Sequence, residues 1–218
     1  MRAAIFDLDG TLVDSMGLWE SLADYYLLSI GIEPPKDLSG ALSKLTVDEG
    51  ILYLKRRFNL KTTIEEINQS LEEILTDYYK NRIQLKPYVR EVLEEFKSKN
   101  IIMALATATD EYFVSMVLNR YGIRKYFTFI QTSQNVGLSK SQPEFFQIAI
   151  ERLGVEPEKI WVFEDALHCM VSAKECGLNI VAVEDKWAFP DLKEIKEISD
   201  IYIENFSQLE VEKLWKNY

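Results

Sequence analysis

Cysteine and histidine are scarce. The 218 residues include two cysteines, Cys169 and Cys176, and one histidine, His168. The cysteines are seven positions apart on one expected helix, on one face and about two turns apart. That spacing is too long for a disulfide and lacks the pattern of a metal site, so both are expected as buried thiols. No apolar run approaches the ~20 residues of a membrane-spanning helix. The N-terminus enters a strand pattern directly, without the features of a signal peptide, and the expected location is cytoplasmic. No long basic face exists, and the net charge of −10 argues against a general nucleic-acid binder. There is no internal repeat and no low-complexity segment.

Apolar residues are plentiful, at 47%, enough for a substantial core. The length suits one domain with an insertion, or two small ones. The first apolar run, Ala3-Ala4-Ile5-Phe6, leads straight into Asp7-Leu8-Asp9-Gly10-Thr11-Leu12. Two acids in a tight turn at the end of a strand are a poor way to build a core. After Asp14 the pattern becomes helical, from Met16 to Ile30, with Gly31 placed to cap the end. Pro34-Pro35 breaks the chain. Thr46-Val47-Asp48-Glu49 and Thr63-Ile64-Glu65-Glu66 read as capping boxes, opening helices to about Phe58 and Arg82. Residues 15 to 86 therefore read as all-helical, without a strand.

From Pro87 onward helices and strands alternate. Helices are expected over 88–99, 110–121, 143–153 and 166–176, and strands over 101–106, 127–131, 160–163, 180–183 and 201–203. Ser207 is placed to cap a last helix through Trp215. Continuous apolar strands alternating with helices of 10 to 12 residues indicate a parallel sheet covered on both faces. The expected architecture is a Rossmann-like α/β core, residues 1–14 and 87–218, with an inserted all-helical cap domain, residues 15–86.

In a parallel sheet the C-terminal strand ends share one edge, where ligands bind. The residues brought there are Asp7 and Asp9, Thr107 and Thr109, a loop with Lys140, and Glu164-Asp165. A carboxylate can attack phosphorus and form an aspartyl-phosphate. Several carboxylates with phosphate oxygens suit octahedral Mg²⁺. A hydroxyl and a lysine can hold the non-bridging oxygens, and a second Asp can protonate the leaving oxygen and then activate water.

These motifs resemble those of the haloacid dehalogenase (HAD) superfamily, in its phosphatase and β-phosphoglucomutase-like branch with a helical cap. Asp7-Leu8-Asp9-Gly10-Thr11-Leu12 is similar to the first motif, D-x-D-G-T-L. Leu105-Ala106-Thr107 is similar to the second, Lys140 with Pro143-Glu144-Phe145-Phe146 to the third, and Val162-Phe163-Glu164-Asp165 to the fourth. The resemblance covers essentially the whole chain in order. It implies Asp7 as nucleophile and Mg²⁺ ligand, and Asp9 as general acid/base with its backbone carbonyl on the metal. Thr107, with the Ala108 backbone N–H, would bind the phosphoryl group. Lys140 would neutralise charge, Asp165 would bind Mg²⁺, and Glu164 would do so directly or through water. Trp19 and Lys44 are the candidate substrate-binding residues of the cap. Three positions depart from the usual E-D-S-x-x-G and Lys-Pro patterns: Ala166 and Cys169 replace Ser and Gly, and Ser141 follows Lys140.

The expected activity is Mg²⁺-dependent hydrolysis of a small phosphorylated metabolite, sugar phosphate-like, by a monomer acting without nucleic acid or membrane. A phosphomutase is the alternative. Mutases of this branch carry a cap histidine about ten residues beyond the second Asp, where this chain has Trp19. A non-catalytic phosphate-binding relative is a third possibility, opposed by the intact Asp7, Asp9, Thr107, Lys140 and Asp165. His168 is left without a direct role because Asp9 already fills that of proton transfer. Residues 15–86 carry nine Lys/Arg and eleven Asp/Glu, so the insertion is less acidic than the rest of the chain, which favours entry of an anionic substrate.

Overall fold

The computed structural model describes residues 1–42 and 45–215. In chain order its elements are β1 (Ala3–Phe6), β2 (Val13–Asp14), α1 (Met16–Ser29), α2 (Leu38–Leu42), α3 (Val47–Arg57), α4 (Ile64–Asp77) and β3 (Gln84–Leu85). Then come α5 (Val89–Ser98), β4 (Ile102–Thr107), α6 (Glu111–Tyr121), β5 (Ile130–Thr132), α7 (Ser133–Val136), α8 (Pro143–Leu153), β6 (Ile160–Glu164), α9 (Leu167–Glu175), β7 (Asn179–Val183), α10 (Leu192–Ile198) and β8 (Ile201–Ile203). They divide into two units, Met1–Ser15 with Ile83–Tyr218, and Met16–Arg82. Among the described residues no helix is long and apolar enough to cross a membrane.

The larger unit is built on a six-stranded sheet of order β5-β4-β1-β6-β7-β8, parallel throughout. Alternation along β1 feeds both faces. Ala3 and Ile5 join a core with Phe145, Phe146 and Ala149 of α8 and Met170 and Ala173 of α9. Phe6 faces the other way and stacks on its cross-strand partner Phe163, with ring centroids 4.5 Å apart, while Phe96 of α5 closes on both rings. Burying one such side chain contributes roughly 1.5–3 kcal/mol. The chain runs from β1 to β4 and β5 on one side, then returns to β6 and β7 on the other. The order reverses between β1 and β6, the place where open α/β sheets form their ligand crevice.

The smaller unit is helical. Thr46 and Thr63 both form complete capping boxes, with Glu49 and Glu66, each side-chain cap worth about 1 kcal/mol. Asp37 pairs with Arg57 at 2.8 Å, tying the segment before α2 to the end of α3.

Four expectations need correction. Residues 15–86 are not free of strand, because Gln84–Leu85 pairs antiparallel with Val13–Asp14. A two-residue strand has no periodicity to read. The strand expected over 127–131 is confined to Ile130–Thr132, because Arg124–Tyr126 forms a 3-10 turn ending at Phe127. The final helix is replaced by two 3-10 turns, Phe206–Gln208 and Val211–Lys213, and Asn205 rather than Ser207 caps the first. Leu209 and Val211 are both buried, and on an α-helix they would stand about 200° apart. Finally, only Cys169 is buried. Cys176 is half-buried past the end of α9, its thiol on the Pro143 carbonyl at 3.2 Å.

Candidate active site

The first acidic turn is shaped by its backbone. Asp7 N–H donates to the Phe163 carbonyl at 3.0 Å, so the residue sits one position beyond β1 at the seam with β6. Leu12 and Val13 N–H groups both return to the Leu8 carbonyl, at 2.9 and 3.0 Å. Gly10 turns this loop with φ +80°, and a Cβ there would lie 2.3 Å from Asp165 Oδ2. Only glycine permits both the left-handed backbone and the approach of that carboxylate. Thr11, also buried, donates its hydroxyl to Asp165 Oδ1 at 3.0 Å.

Lys140 reaches the same point from the loop before α8. Its Nζ lies 2.5 Å from Asp7 Oδ1 and 2.6 Å from Glu164 Oε2. Glu164 Oε1 accepts the N–H groups of Asp165 and Ala166, at 3.2 and 3.1 Å, which fixes the turn into α9. Asp7, Glu164 and Asp165 present carboxylate oxygens within 4.8 Å of one another, and all three are buried. Lys140 thus pairs with two of these three clustered carboxylates. Burial pushes Asp7 up to about 7, with Glu164 and Asp9 adding to it and Lys140 pulling back. Burial and the neighbouring Glu164 and Asp7 hold Asp165 well above the usual carboxylate range. Burial works against the charge of Lys140, but Asp7 and Glu164 outweigh it and keep the ammonium protonated. Hard oxygen donors with surplus negative charge, gathered round a small space, suit a divalent cation such as Mg²⁺.

Asp9 points elsewhere. Ser15 Oγ donates to its Oδ1 at 2.5 Å and Thr109 Oγ1 to its Oδ2 at 2.7 Å. Its carboxylate is not one of the three clustered groups. Thr107 is buried at the end of β4, and its Oγ1 accepts the Thr109 N–H at 3.2 Å, with Ala108 exposed between them. Neither threonine caps α6, whose first turn opens at Asp110 without a side-chain cap. His168 is exposed on the first turn of α9. Cys169 lies behind the site, its thiol pushed well up by burial and then by Glu164.

The α/β unit therefore brings Asp7, Lys140, Glu164 and Asp165 together, with Asp9 held by two hydroxyls. Trp19 belongs to the helical unit, where its Nε1 donates to Tyr79 Oη at 3.1 Å. With Leu22, Leu42, Ile51, Leu54 and Leu71 it lines a cavity of about 230 Å³ inside that unit. Lys44 lies outside the described residues. Sequence reasoning missed Ser15 as a partner of Asp9 and the Lys86–Asp185 ion pair at 3.0 Å. It placed Thr109 at the strand end beside Thr107 but did not pair it with Asp9.

Residues 4–183 match the model of the haloacid dehalogenase-like hydrolases. The chain belongs to this family. The phosphorylated carbohydrates phosphatase of Thermotoga maritima is 33% identical over 179 residues, covering 82% of this chain and 83% of that protein. Hexitol phosphatase B of Escherichia coli K12 is 24% identical over 217 residues, covering 97% and 96%. Among solved structures, a candidate β-phosphoglucomutase from Thermotoga maritima superposes with a TM-score of 0.80 at 31% identity, covering 93% of this chain and 94% of that one. The family fold is the one described above, an α/β core with a helical insertion. This HAD hydrolase is an enzyme of the phosphatase kind, as its named relatives are.

Proposed function

We propose that this HAD phosphatase hydrolyses phosphomonoesters of small sugar-like metabolites, with Mg²⁺, through a phosphorylated Asp7. The observation that carries this reading is the buried meeting of Asp7, Glu164 and Asp165 at the switch point of the sheet, with Lys140 paired to the first two. A structural ion pair needs one carboxylate per lysine. Three carboxylates in one buried space are instead suited to holding a cation beside a reacting anion.

In the first step an Asp7 carboxylate oxygen attacks phosphorus, and the bond from phosphorus to the ester oxygen breaks. Asp9 gives its proton to the departing alkoxide, so the alcohol leaves neutral. Lys140 stays protonated and neutralises charge between Asp7 and the phosphoryl oxygens, while the Thr107 hydroxyl and the Ala108 N–H hold those oxygens. In the second step Asp9, now a carboxylate, takes a proton from a water that attacks the same phosphorus, which releases inorganic phosphate and restores Asp7. Ser15 and Thr109 orient Asp9 for both transfers. Asp7, Asp165 and the Asp9 carbonyl, with Glu164 directly or through water, would hold Mg²⁺, which supplies neutralisation of phosphate charge when bound.

The substrate class rests on two relatives, one named a phosphorylated carbohydrates phosphatase and the other a hexitol phosphatase. We assign substrate choice to the helical unit, with Trp19 and Lys44 as its candidate contacts. A panel of phosphorylated metabolites, read by released phosphate, tests this. Sugar and polyol phosphates are expected to lead the panel. If other phosphate esters lead it, the substrate class is wrong; if turnover is unchanged in EDTA, the metal assignment is wrong.

A further inference from the structure

Lys86 and Asp185 form an ion pair that the reaction scheme does not use. Lys86 Nζ lies 3.0 Å from Asp185 Oδ2 and donates to the Glu184 carbonyl at 2.7 Å. Neither side chain is more than 10% exposed. Desolvating two charges costs several kcal/mol per ion, and such a pair adds little net stability over an apolar one. Fold stability alone is therefore a weak reason for it.

Its connections suggest another. Lys86 N–H donates to the Leu12 carbonyl at 2.9 Å, and the adjacent Thr11 holds Asp165 Oδ1 at 3.0 Å. On the other side, Glu184 and Asp185 follow β7, whose Ala182 is in register with Glu164 on β6. Asp185 Oδ1 also accepts the Trp187 N–H at 3.0 Å, which fixes the start of the next turn. Lys86 is thus bonded both to the Thr11–Leu12 loop, which holds Asp165, and to the end of β7, the strand beside the one that leads into Asp165. The charges of Lys86 and Asp185 both act on the Asp165 carboxyl, the first lowering and the second raising its proton affinity, so the pair stands within Coulombic reach.

We propose that Lys86, paired with Asp185, is a positioning residue that fixes Asp165 for metal binding by clamping the Thr11–Leu12 loop to the end of β7. Groups that orient metal ligands typically control 10- to 100-fold of metal affinity or activity. The inference rests on Asp165 being an Mg²⁺ ligand.

The test is calorimetric titration of the full-length, substrate-free protein with Mg²⁺. The double variant Lys86→Met/Asp185→Asn leaves the net charge of the pair unchanged and keeps an acceptor for Trp187 N–H. It is expected to bind Mg²⁺ at least about 10-fold more weakly than wild type. At saturating Mg²⁺ its kcat should stay within about threefold, and Lys86→Arg should stay close to wild type in both. A second double variant, Lys86→Gln/Asp185→Asn, also leaves the net charge of the pair unchanged and keeps a donor for the Glu184 carbonyl. It should weaken Mg²⁺ binding in the same direction and serves if the first does not fold. Wild-type Mg²⁺ affinity in either folded double variant overturns the inference and leaves the catalytic scheme standing. A wild-type protein that binds no Mg²⁺ overturns both.

Discussion

Replacing Gly10 by alanine puts the geometry of the acidic turn under direct strain. The residue sits at φ +80°, where an L side chain costs roughly 1–2 kcal/mol. Its new methyl would stand 2.3 Å from Asp165 Oδ2 and 2.6 Å from Asp165 Cγ, about 1 Å short of ordinary contact. Asp165 is buried and tied to Thr11, so it cannot swing into solvent to make room. Crowding of this kind costs about 1–3 kcal/mol more. Gly154 is the matched control, with φ +61° and nothing within 4 Å of an added Cβ. Gly154→Ala should show the backbone penalty alone. Urea unfolding is expected to place Gly10→Ala roughly 2–5 kcal/mol below wild type and Gly154→Ala about 1–2 kcal/mol below. Displacing Asp165 by about 1 Å should lower p-nitrophenyl phosphate turnover on the order of 100-fold in Gly10→Ala and leave Gly154→Ala near wild type. If the two variants lose equal stability and turn over alike, the approach of Asp165 to this turn is not what fixes the glycine.

Other consequences follow from the same site. Asp9→Asn should keep Mg²⁺ binding and lower kcat by about 10²–10⁴, because only proton transfer is lost; unchanged turnover in a pH-rate profile would remove Asp9 from that role. Asp7 holds its proton more tightly folded than unfolded, with its pKa raised from 3.8 to about 7. Its contribution to stability is therefore full below about pH 4 and is lost as pH rises to about 7, a change on the order of 4 kcal/mol. In EDTA, urea midpoints of the wild type should fall over that range relative to Asp7→Asn, and Mg²⁺ should flatten the difference. β-Glucose 1-phosphate should yield free glucose and phosphate without glucose 6-phosphate, and detection of the isomer by coupled assay would restore the mutase alternative.

The strand ends were legible because each puts polar residues where an apolar run stops. That juxtaposition is hard to explain by packing and recurs at Asp7, Thr107 and Glu164. The capping boxes at Thr46 and Thr63 were legible for a similar reason, since both partners lie three residues apart. What escaped was set by tertiary contact. Gln84–Leu85 becomes a strand only because Val13–Asp14 lies beside it. The segment 207–215 abandons an α-helix so that Leu209, Val211, Leu214 and Trp215 are all buried, with the Trp215 indole on the Lys159 carbonyl at 2.9 Å. Lys86 and Asp185 stand 99 positions apart, and nothing local marks either as one of a pair. Within the site, the order of motifs pointed to Asp7, Lys140, Glu164 and Asp165, while the hydroxyl of Ser15 gave no signal at all.

The central claim is that the phosphoryl group passes through Asp7. Rapid acid quench of the Mg²⁺-loaded enzyme during turnover of a labelled sugar phosphate, followed by peptide mapping, tests it most directly. The account predicts labelled phosphate on the peptide that contains Asp7, and none in Asp7→Asn. Turnover without label on that peptide at any quench time, with Asp7→Asn as fast as wild type, would contradict it.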